Sequence, residues 1–165
     1  MRTKLILSVF ALVAIGFFGC NVEETEEGIF ERGVQVERPW KSKASGTFQM
    51  VEPTVCTGGL VQFDISGTGN GTHLGKFEVD LTNCTNLSDY FSISGTATAA
   101  NGDYVNLMSI GLGEDDLGPH TIFMCDGGSG RFEFATGTVR LYEVIEFTSP
   151  TGGVFSNRGI GTITY

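Results

Sequence analysis

A single carboxylate, Glu143, stands among apolar residues on one face of a predicted strand. The alternate positions along this strand hold Val139, Leu141, Ile145 and Phe147. If that face is interior, Glu143 needs a partner such as Arg131 or Arg158, and desolvation raises its pKa toward the range of a general acid or base. If the face is the outer one, Glu143 is simply solvated. Glu143 is therefore the one catalytic candidate, and the sequence leaves its side of the sheet open.

The other polar residues do not form a metal or cofactor site by spacing. His73 and His120 are the two histidines, and neither has a partner at metal-ligand spacing, so we interpret His73 as a structural hydrogen-bonding residue. The acidic residues Glu114, Asp115 and Asp116 lack the alternating ligands of an EF-hand and are interpreted as a solvated loop. We expect no metal and no cofactor.

The sequence supports neither a phosphate-binding loop nor a serine hydrolase motif. The run Gly127-Gly128-Ser129-Gly130 is not followed by a helical pattern or a Lys-Ser/Thr pair, so we interpret it as a tight turn rather than a phosphate loop. Residues 131–134 would then form a strand with Arg131 and Phe132 on opposite faces. The chain has no Gly-x-Ser-x-Gly elbow, which leaves serine hydrolase chemistry without support.

The cysteines predict one disulfide. We expect a hairpin of strands 60–66 and 73–82 around the turn 67–72, GTGNGT, so that opposed residues have numbers summing to about 139 or 140. Cys56 and Cys84 sum to 140, and opposed residues lie within disulfide range. We therefore predict a Cys56–Cys84 bond and a free, buried Cys125. A bulge would break this register, and Cys84 with Cys125 is the next pairing to consider.

The N-terminus has the layout of a secretory signal. Arg2 and Lys4 precede an apolar run at 5–18, which is shorter than the roughly 20 residues of a membrane-spanning helix, and Gly19-Cys20 follows. This order resembles the lipobox signal of bacterial lipoproteins. The resemblance implies that the mature chain begins at Cys20, with a diacylglyceryl thioether and an acylated amine that anchor it stably in a membrane. The alternative is an ordinary cleaved signal with a chance cysteine.

An acidic, weakly apolar stretch follows the cysteine. The segment NVEETEE at 21–27 has little to bury and is expected to stay extended, and we expect a tether to about Pro39, which would end a weak strand at 29–37. The acidic run also resembles the export signal that sends some lipoproteins to the outer surface; a plain charged spacer is the alternative. The predicted organisation is a signal peptide at 1–19, a lipidated cysteine with a flexible tether at 20–39, and a folded domain at 40–165.

Composition predicts an all-β domain that does not bind nucleic acid. The net charge is −9, whereas phosphate binding needs clustered Lys and Arg. The 24 glycines disfavour helices, and the 13 phenylalanines fit pleated strands. Alternating short apolar runs predict strands at 46–51, 60–66, 73–82, 90–99, 104–112, 120–125, 131–134, 138–148 and 155–165. Asn101-Gly102 predicts a type I′ hairpin turn.

Four segments resemble, in order, the signatures of a group of uncharacterised secreted bacterial β-barrel proteins. They are ERPWKSKASGTF at 37–48, SGTGNGTHLGKFEVD at 66–80, TAANGDYV at 98–105 and GGSGRFEFATG at 127–137. The last is similar to a Gly-Gly-Thr-Gly-Arg-Phe motif of the allene oxide cyclase and dirigent barrels. The resemblance implies a closed antiparallel barrel of about eight strands, whose interior holds side chains or one small ligand.

These inferences favour a lipid-anchored protein of the cell envelope, in the outer membrane on either its periplasmic or its external face. We expect a monomer that acts as a module binding a small apolar ligand or as a structural and surface module, the latter if phenylalanines fill the barrel completely. An isomerase or cyclase that uses an interior carboxylate is the alternative, and it rests on fold analogy.

Overall fold

The computed structural model of the protein describes residues 36–165. These residues form eight strands, β1 (Glu37–Val51), β2 (Val61–Gly71), β3 (Gly75–Thr85), β4 (Phe91–Ala99), β5 (Tyr104–Asp115), β6 (Gly118–Gly128), β7 (Thr136–Ser149) and β8 (Gly152–Thr164), with a 3₁₀ turn at Gly130–Phe132. Each strand pairs antiparallel with the next, and β8 pairs with β1. The predicted all-β, eight-stranded closed barrel is confirmed. The predicted signal peptide, Cys20 and most of the tether lie outside the described residues.

Alternation along the strands sorts residues between the interior and the solvent. On β3, for example, Phe77, Val79 and Leu81 are buried, whereas Glu78 and Asp80 between them are exposed. Side chains that point inward in this way form one continuous apolar core. Within residues 36–165, no helix has the length and apolarity needed to cross a bilayer.

β1 begins at Glu37, well before the predicted strand at 46–51, and it contains Pro39. β1 pairs with β8 from Glu37 onward and with β2 only from Ser42 onward. The carbonyl oxygen of Pro39 accepts a hydrogen bond from the Thr72 hydroxyl at 3.2 Å, so Pro39 faces the side on which β1 has no strand partner. Its missing N–H therefore costs no ladder hydrogen bond, and the prediction that Pro39 ends a strand is wrong.

The β2–β3 hairpin has a different register from the predicted one. Gly71 pairs with Gly75, so the turn lies at residues 72–74, and the glycine-rich segment 67–71 belongs to β2. A side chain at Gly69 would collide with the ring of Phe77 and with the backbone of β1. These glycines therefore serve close approach of an aromatic ring inside the barrel, and not a turn.

The disulfide joins Cys56 and Cys84, with their Cα atoms 5.5 Å apart, as predicted. The register argument for it is wrong, because Cys84 pairs with Gln62 in the β2–β3 ladder. Connection 52–60 instead folds back over the outer face of this hairpin, where the Gln62 side-chain oxygen accepts hydrogen bonds from the backbone N–H groups of Thr54 and Val55. Cys125 is free and buried, as predicted, and burial raises the pKa of its thiol to about 12.

The β4–β5 turn is also of another type than predicted. The N–H of Gly102 donates to the Ala99 carbonyl oxygen, and Gly102 has a φ of 90°. Asn101 is not among the residues with positive φ, which a type I′ turn would require. Its side-chain oxygen accepts a hydrogen bond from the N–H of Asp103 instead. The loop is therefore a three-residue hairpin loop closed by a single left-handed glycine.

One end of the barrel is plugged by the segment between β6 and β7. The turn predicted at 127–130 lies later in the chain, because Gly127 and Gly128 end β6 and the chain reverses from Ser129 onward. Residues 131–134 do not form the predicted strand, because Gly130–Phe132 is one turn of 3₁₀ helix. Phe132 is fully buried and its ring contacts the Tyr165 ring at 5.1 Å, edge to face. The chain enters the barrel at this same end, since Glu37 pairs with Thr164. We call it the closed end.

Candidate functional site

The opposite end of the barrel holds an open cavity of about 150 Å³. Its walls are mainly phenylalanine and isoleucine, and its lining is Phe48, Phe63, Ile65, Leu81, Asn83, Ile93, Phe123, Glu143, Ile145, Phe147, Phe155 and Asn157. A cavity of about 150 Å³ with apolar walls is large enough to take benzene. We call this space the mouth cavity and this end the mouth.

The mouth stays open because β6 and β7 separate there. Their ladder reaches only Thr121 opposite Leu141, whereas β7 continues to pair with β8 as far as Ser149. The β7 residues beyond Leu141 therefore lack a partner on one side. Ile145 and Phe147, which line the cavity, are 56% and 64% exposed and form its rim.

The barrel is filled below this cavity. Phe123, only 1% exposed, lines the mouth cavity and also a smaller void of about 30 Å³ in the closed half. That void is far smaller than the mouth cavity. The interior is thus packed in the closed half and hollow at the mouth, and Phe123 lies between the two spaces together with Leu81 and Asn157.

Glu143 points into the mouth cavity, so the interior alternative is the correct one. Its side chain is exposed to water through the open mouth, but it is surrounded by protein atoms and largely apolar walls, which is why its carboxyl group is nevertheless partly desolvated. Desolvation raises the pKa of its carboxyl group, and a hydrogen bond of 3.3 Å from the Thr121 hydroxyl to Oε2 partly opposes that rise.

The partners expected for an interior Glu143 are engaged elsewhere. Arg131 lies 3.5 Å from Asp103 in an ion pair at the closed end. The guanidinium of Arg158 lies over the Tyr142 ring, 5.3 Å from its centroid. Within the described residues, Glu143 accepts a hydrogen bond from the Thr121 hydroxyl and forms no ion pair, so its negative charge is uncompensated when it is ionised.

Two asparagines complete the polar lining. Asn157 pairs with Glu143 across the β7–β8 ladder, so the two side chains are neighbours on one wall. Asn83 lies on β3, four strands from β7 in the closed order of eight, and hence on the opposite wall. Its Oδ1 atom is buried and has no hydrogen-bond partner. An unsatisfied buried acceptor costs about 1 to 3 kcal/mol. Because this oxygen has almost no accessible surface, a ligand donor would reach it only if the Asn83 side chain turned toward the cavity.

The histidines lie outside the mouth cavity. Nε2 of His73 donates to the Pro39 carbonyl oxygen at 2.9 Å, so in the neutral ring Nδ1 accepts from the Tyr165 hydroxyl at 3.1 Å. His73 thus ties the β2–β3 turn to both chain ends of the barrel at the closed end. His120 is buried, and its ring lies 5.0 Å from that of Tyr142.

Of the acidic residues 114–116, interpreted from the sequence as a solvated loop, Asp115 makes structural contacts. Oδ2 of Asp115 accepts hydrogen bonds from Arg140 at 2.6 Å and from the Tyr142 hydroxyl at 2.7 Å. This pulls the tip of the β5–β6 hairpin onto the outer face of β7. In the part of the chain that the structure describes, no group of three or more His, Cys, Asp and Glu side chains is arranged to hold a metal ion.

Replacement of Glu143 by glutamine is expected to stabilise the protein more at pH 8 than at pH 4. The folded pKa of Glu143 is raised above the unfolded value of about 4.3, so the folded chain holds the proton more tightly. Stability from this group is therefore lost as pH rises through the folded pKa. Melting temperatures of the parent protein and Glu143→Gln at pH 4, 6 and 8 measure the effect.

Asp115→Asn is the matched control, since it removes one carboxylate of opposite behaviour. The Tyr142 hydrogen bond is the main cause that lowers the pKa of Asp115, so its contribution is present above about pH 3.9 and is lost on acidification. Asp115→Asn, at a half-buried position, should lose stability mainly at pH 6 and 8. If the two variants shifted the melting temperature equally at every pH, Glu143 would not be desolvated.

Spacing alone missed most of the site. The cavity lining comes from seven of the eight strands, and only closure of the barrel brings these residues together. The alternation that marks inward positions can be read from the sequence, but the level at which each residue lies along the barrel axis cannot.

Comparisons with known proteins identify no relative: no family model, no curated protein and no solved structure matches this chain.

Proposed function

We propose that the protein is a lipid-anchored lipoprotein of the cell envelope whose barrel binds a small apolar ligand in the mouth cavity. The observation that carries the binding function is the open cavity of about 150 Å³ with phenylalanine walls and a few polar groups. Ligand sites are typically concave and mostly apolar, with a small number of polar groups that orient the ligand. The described interior offers this arrangement at the mouth and a packed core in its closed half.

The anchor is supported by the order of residues at the N-terminus. Gly19-Cys20 follows a short apolar run, as in lipobox signals, and we assign the outer membrane as the site of attachment.

Toluene is expected to bind to the protein, and a larger side chain in the cavity wall should block it. Ile65→Phe adds volume to the lining, whereas Val144→Phe adds the same ring type on the outer face of β7, where Val144 is 69% exposed. Titration calorimetry should show binding by the parent protein and by Val144→Phe and at least a tenfold loss in Ile65→Phe, about 1.4 kcal/mol. Equal binding by all three would refute the cavity as the site.

The anchor has a separate test. Native protein should partition into a detergent phase and carry acyl chains on Cys20 by mass spectrometry, and Cys20→Ser should remain unprocessed. Recovery of the native protein in the aqueous phase with an unmodified Cys20 would remove the lipoprotein assignment. It would leave the ligand site intact.

An enzyme of isomerase or cyclase type is the second candidate, and the position of Glu143 favours it. A carboxyl group with a raised pKa beside a cavity has the properties of a general acid or base. The test uses an apolar extract of the envelope from which the native protein is isolated. Incubation of this extract with the parent protein and with Glu143→Gln should give a rearranged product only with the parent if this candidate is correct, as followed by mass spectrometry and chromatography.

A further inference from the structure

We infer that the mouth cavity selects small, positively charged aromatic molecules, namely protonated primary arylalkylamines. Their ammonium group would lie beside Glu143 and their aryl group against the phenylalanine walls. This inference rests on the proposed function, because it names the class of ligand for the same cavity. Three independent features of the described residues support it: the polar groups in the cavity, the aromatic walls and the charge around the mouth.

The polar groups in the cavity match a ligand that carries donors and a positive charge. The lining contains one carboxyl group and two carboxamides, and it contains no Lys, Arg or His. Glu143 accepts a hydrogen bond from the Thr121 hydroxyl, and the buried Oδ1 of Asn83 has no donor. An ammonium group supplies three donors and no acceptor, so it can donate to the Glu143 oxygens and compensate the carboxylate.

The aromatic walls suit both parts of such a ligand. The ring of Phe48 lies edge to face with Phe147 at 5.0 Å and with Phe63 at 6.1 Å, so three rings form one side of the cavity. An aryl group can join this cluster in the same edge-to-face geometry. A cation above a ring face gains further attraction, which is stronger where water is excluded.

In the connections around the mouth, all charged side chains are negative. The four connections at this end are 52–60, 86–90, 116–117 and 150–151, and three of them contain a carboxylate: Glu52, Asp89 and Asp116. None of the four contains Lys or Arg. The closest arginines along β7 and β8 are engaged on the outside, Arg140 with Asp115 and Arg158 over Tyr142. Such a rim raises the local concentration of cations and repels anions.

The test compares ligands that share a benzyl body and differ only in the head group. Benzylamine, benzyl alcohol and toluene are titrated into the full chain in detergent micelles, with heats corrected by detergent alone, and benzoate serves as the anion. We expect benzylamine to bind roughly 10- to 100-fold more tightly than toluene, since hydrogen bonds to charged groups contribute that much. Benzylamine should displace toluene, and benzoate should not bind.

Two matched variants identify the group responsible. Glu143→Gln should reduce benzylamine affinity to that of toluene and leave toluene affinity within about threefold. Glu146→Gln removes the same charge from β7 at a position that does not line the cavity, and it should keep most of the preference. The preference should weaken only partly between 50 and 500 mM salt, because a pair inside the cavity is screened less than one at the surface.

The outcomes separate the two proposals. If toluene and benzylamine bind the unaltered chain equally, the selection of cations is wrong and the apolar site stands. If Glu146→Gln loses as much benzylamine affinity as Glu143→Gln, the cation binds on the rim, and the inference is wrong as well. If none of the three uncharged or cationic ligands binds, the binding function itself fails. If Glu143→Gln does not fold, the comparison of the ligands on the unaltered chain still tests the selection of cations.

Discussion

Truncation of Phe123 to alanine is expected to lower the free energy of unfolding by about 3 to 5 kcal/mol, the range for a buried Phe→Ala change. Phe123 is 1% exposed and contributes to the lining of both interior spaces. The loss combines the apolar surface no longer buried with the cavity left behind. Urea unfolding followed by the fluorescence of Trp40, a buried residue, measures it.

The same truncation should change what the barrel binds. Without the Phe123 ring, the mouth cavity and the void of about 30 Å³ beneath it become continuous. We expect Phe123→Ala to accept longer ligands, so that butylbenzene gains affinity relative to toluene. The gain should be at least several-fold, since each additional buried methylene contributes about 0.8 kcal/mol.

Phe132→Ala is the matched control at the closed end. Phe132 is also fully buried, but it packs against Tyr165 and lines neither interior space. The two variants should lose comparable stability, and only Phe123→Ala should change the order of ligand affinities. A change of the same size in Phe132→Ala would mean that loosened packing, and not the floor of the cavity, sets ligand size.

The fold was more predictable than its registers, and β2 shows why. Alternating apolar residues such as Phe77, Val79 and Leu81 identify inward faces, because the period of a strand is two. Glycine-rich segments are ambiguous, because glycine serves turns and also the close approach of rings to a backbone. Gly69 allows the close approach of a ring, so β2 continues where the sequence predicts a turn. The misplaced turn makes the predicted pairing of β2 with β3 wrong along the whole hairpin.

The candidate site was predictable only in part, for a geometric reason. Alternation placed Glu143 on one of two faces, and the structure shows that it faces the mouth cavity. Asn83 could not be identified, because its significance comes from lying opposite β7 with an unpaired oxygen. Opposition across a barrel depends on the number of strands and on their stagger, and neither can be read from spacing within one strand.

The place where β6 and β7 separate links the fold to the proposed function. Were the ladder to continue past Thr121 and Leu141, β6 would cover the edge of β7 near Glu143. Beyond the end of this ladder, the contacts of Asp115 with Arg140 and Tyr142 tie the tip of the β5–β6 hairpin to the outer face of β7. They leave the inward-facing edge of β7 near Glu143 uncovered, and they stabilise the fold only weakly, as exposed ion pairs do.

Loss of the Cys56–Cys84 bond is expected to lower the free energy of unfolding by about 3 to 4 kcal/mol in the chain-entropy model. The bond closes a loop with a sequence separation of 28, which contains all of β2 and most of β3. Without it, connection 52–60 keeps the hydrogen bonds between its backbone and Gln62. We therefore expect the Cys56→Ala, Cys84→Ala double variant to fold with a lower urea midpoint.

The reductant is the control for this prediction. Dithiothreitol should lower the midpoint of the parent protein toward that of the double variant, and it should leave the double variant unchanged, since Cys125 is free and buried. Because Cys84 neighbours Asn83 on β3, the double variant should also bind toluene more weakly as the wall of the mouth loosens. An unchanged midpoint in reductant, with both thiols then shown to be reduced, would contradict a stabilising role for the bond. In that case the contacts of Gln62 alone would hold connection 52–60 against the barrel.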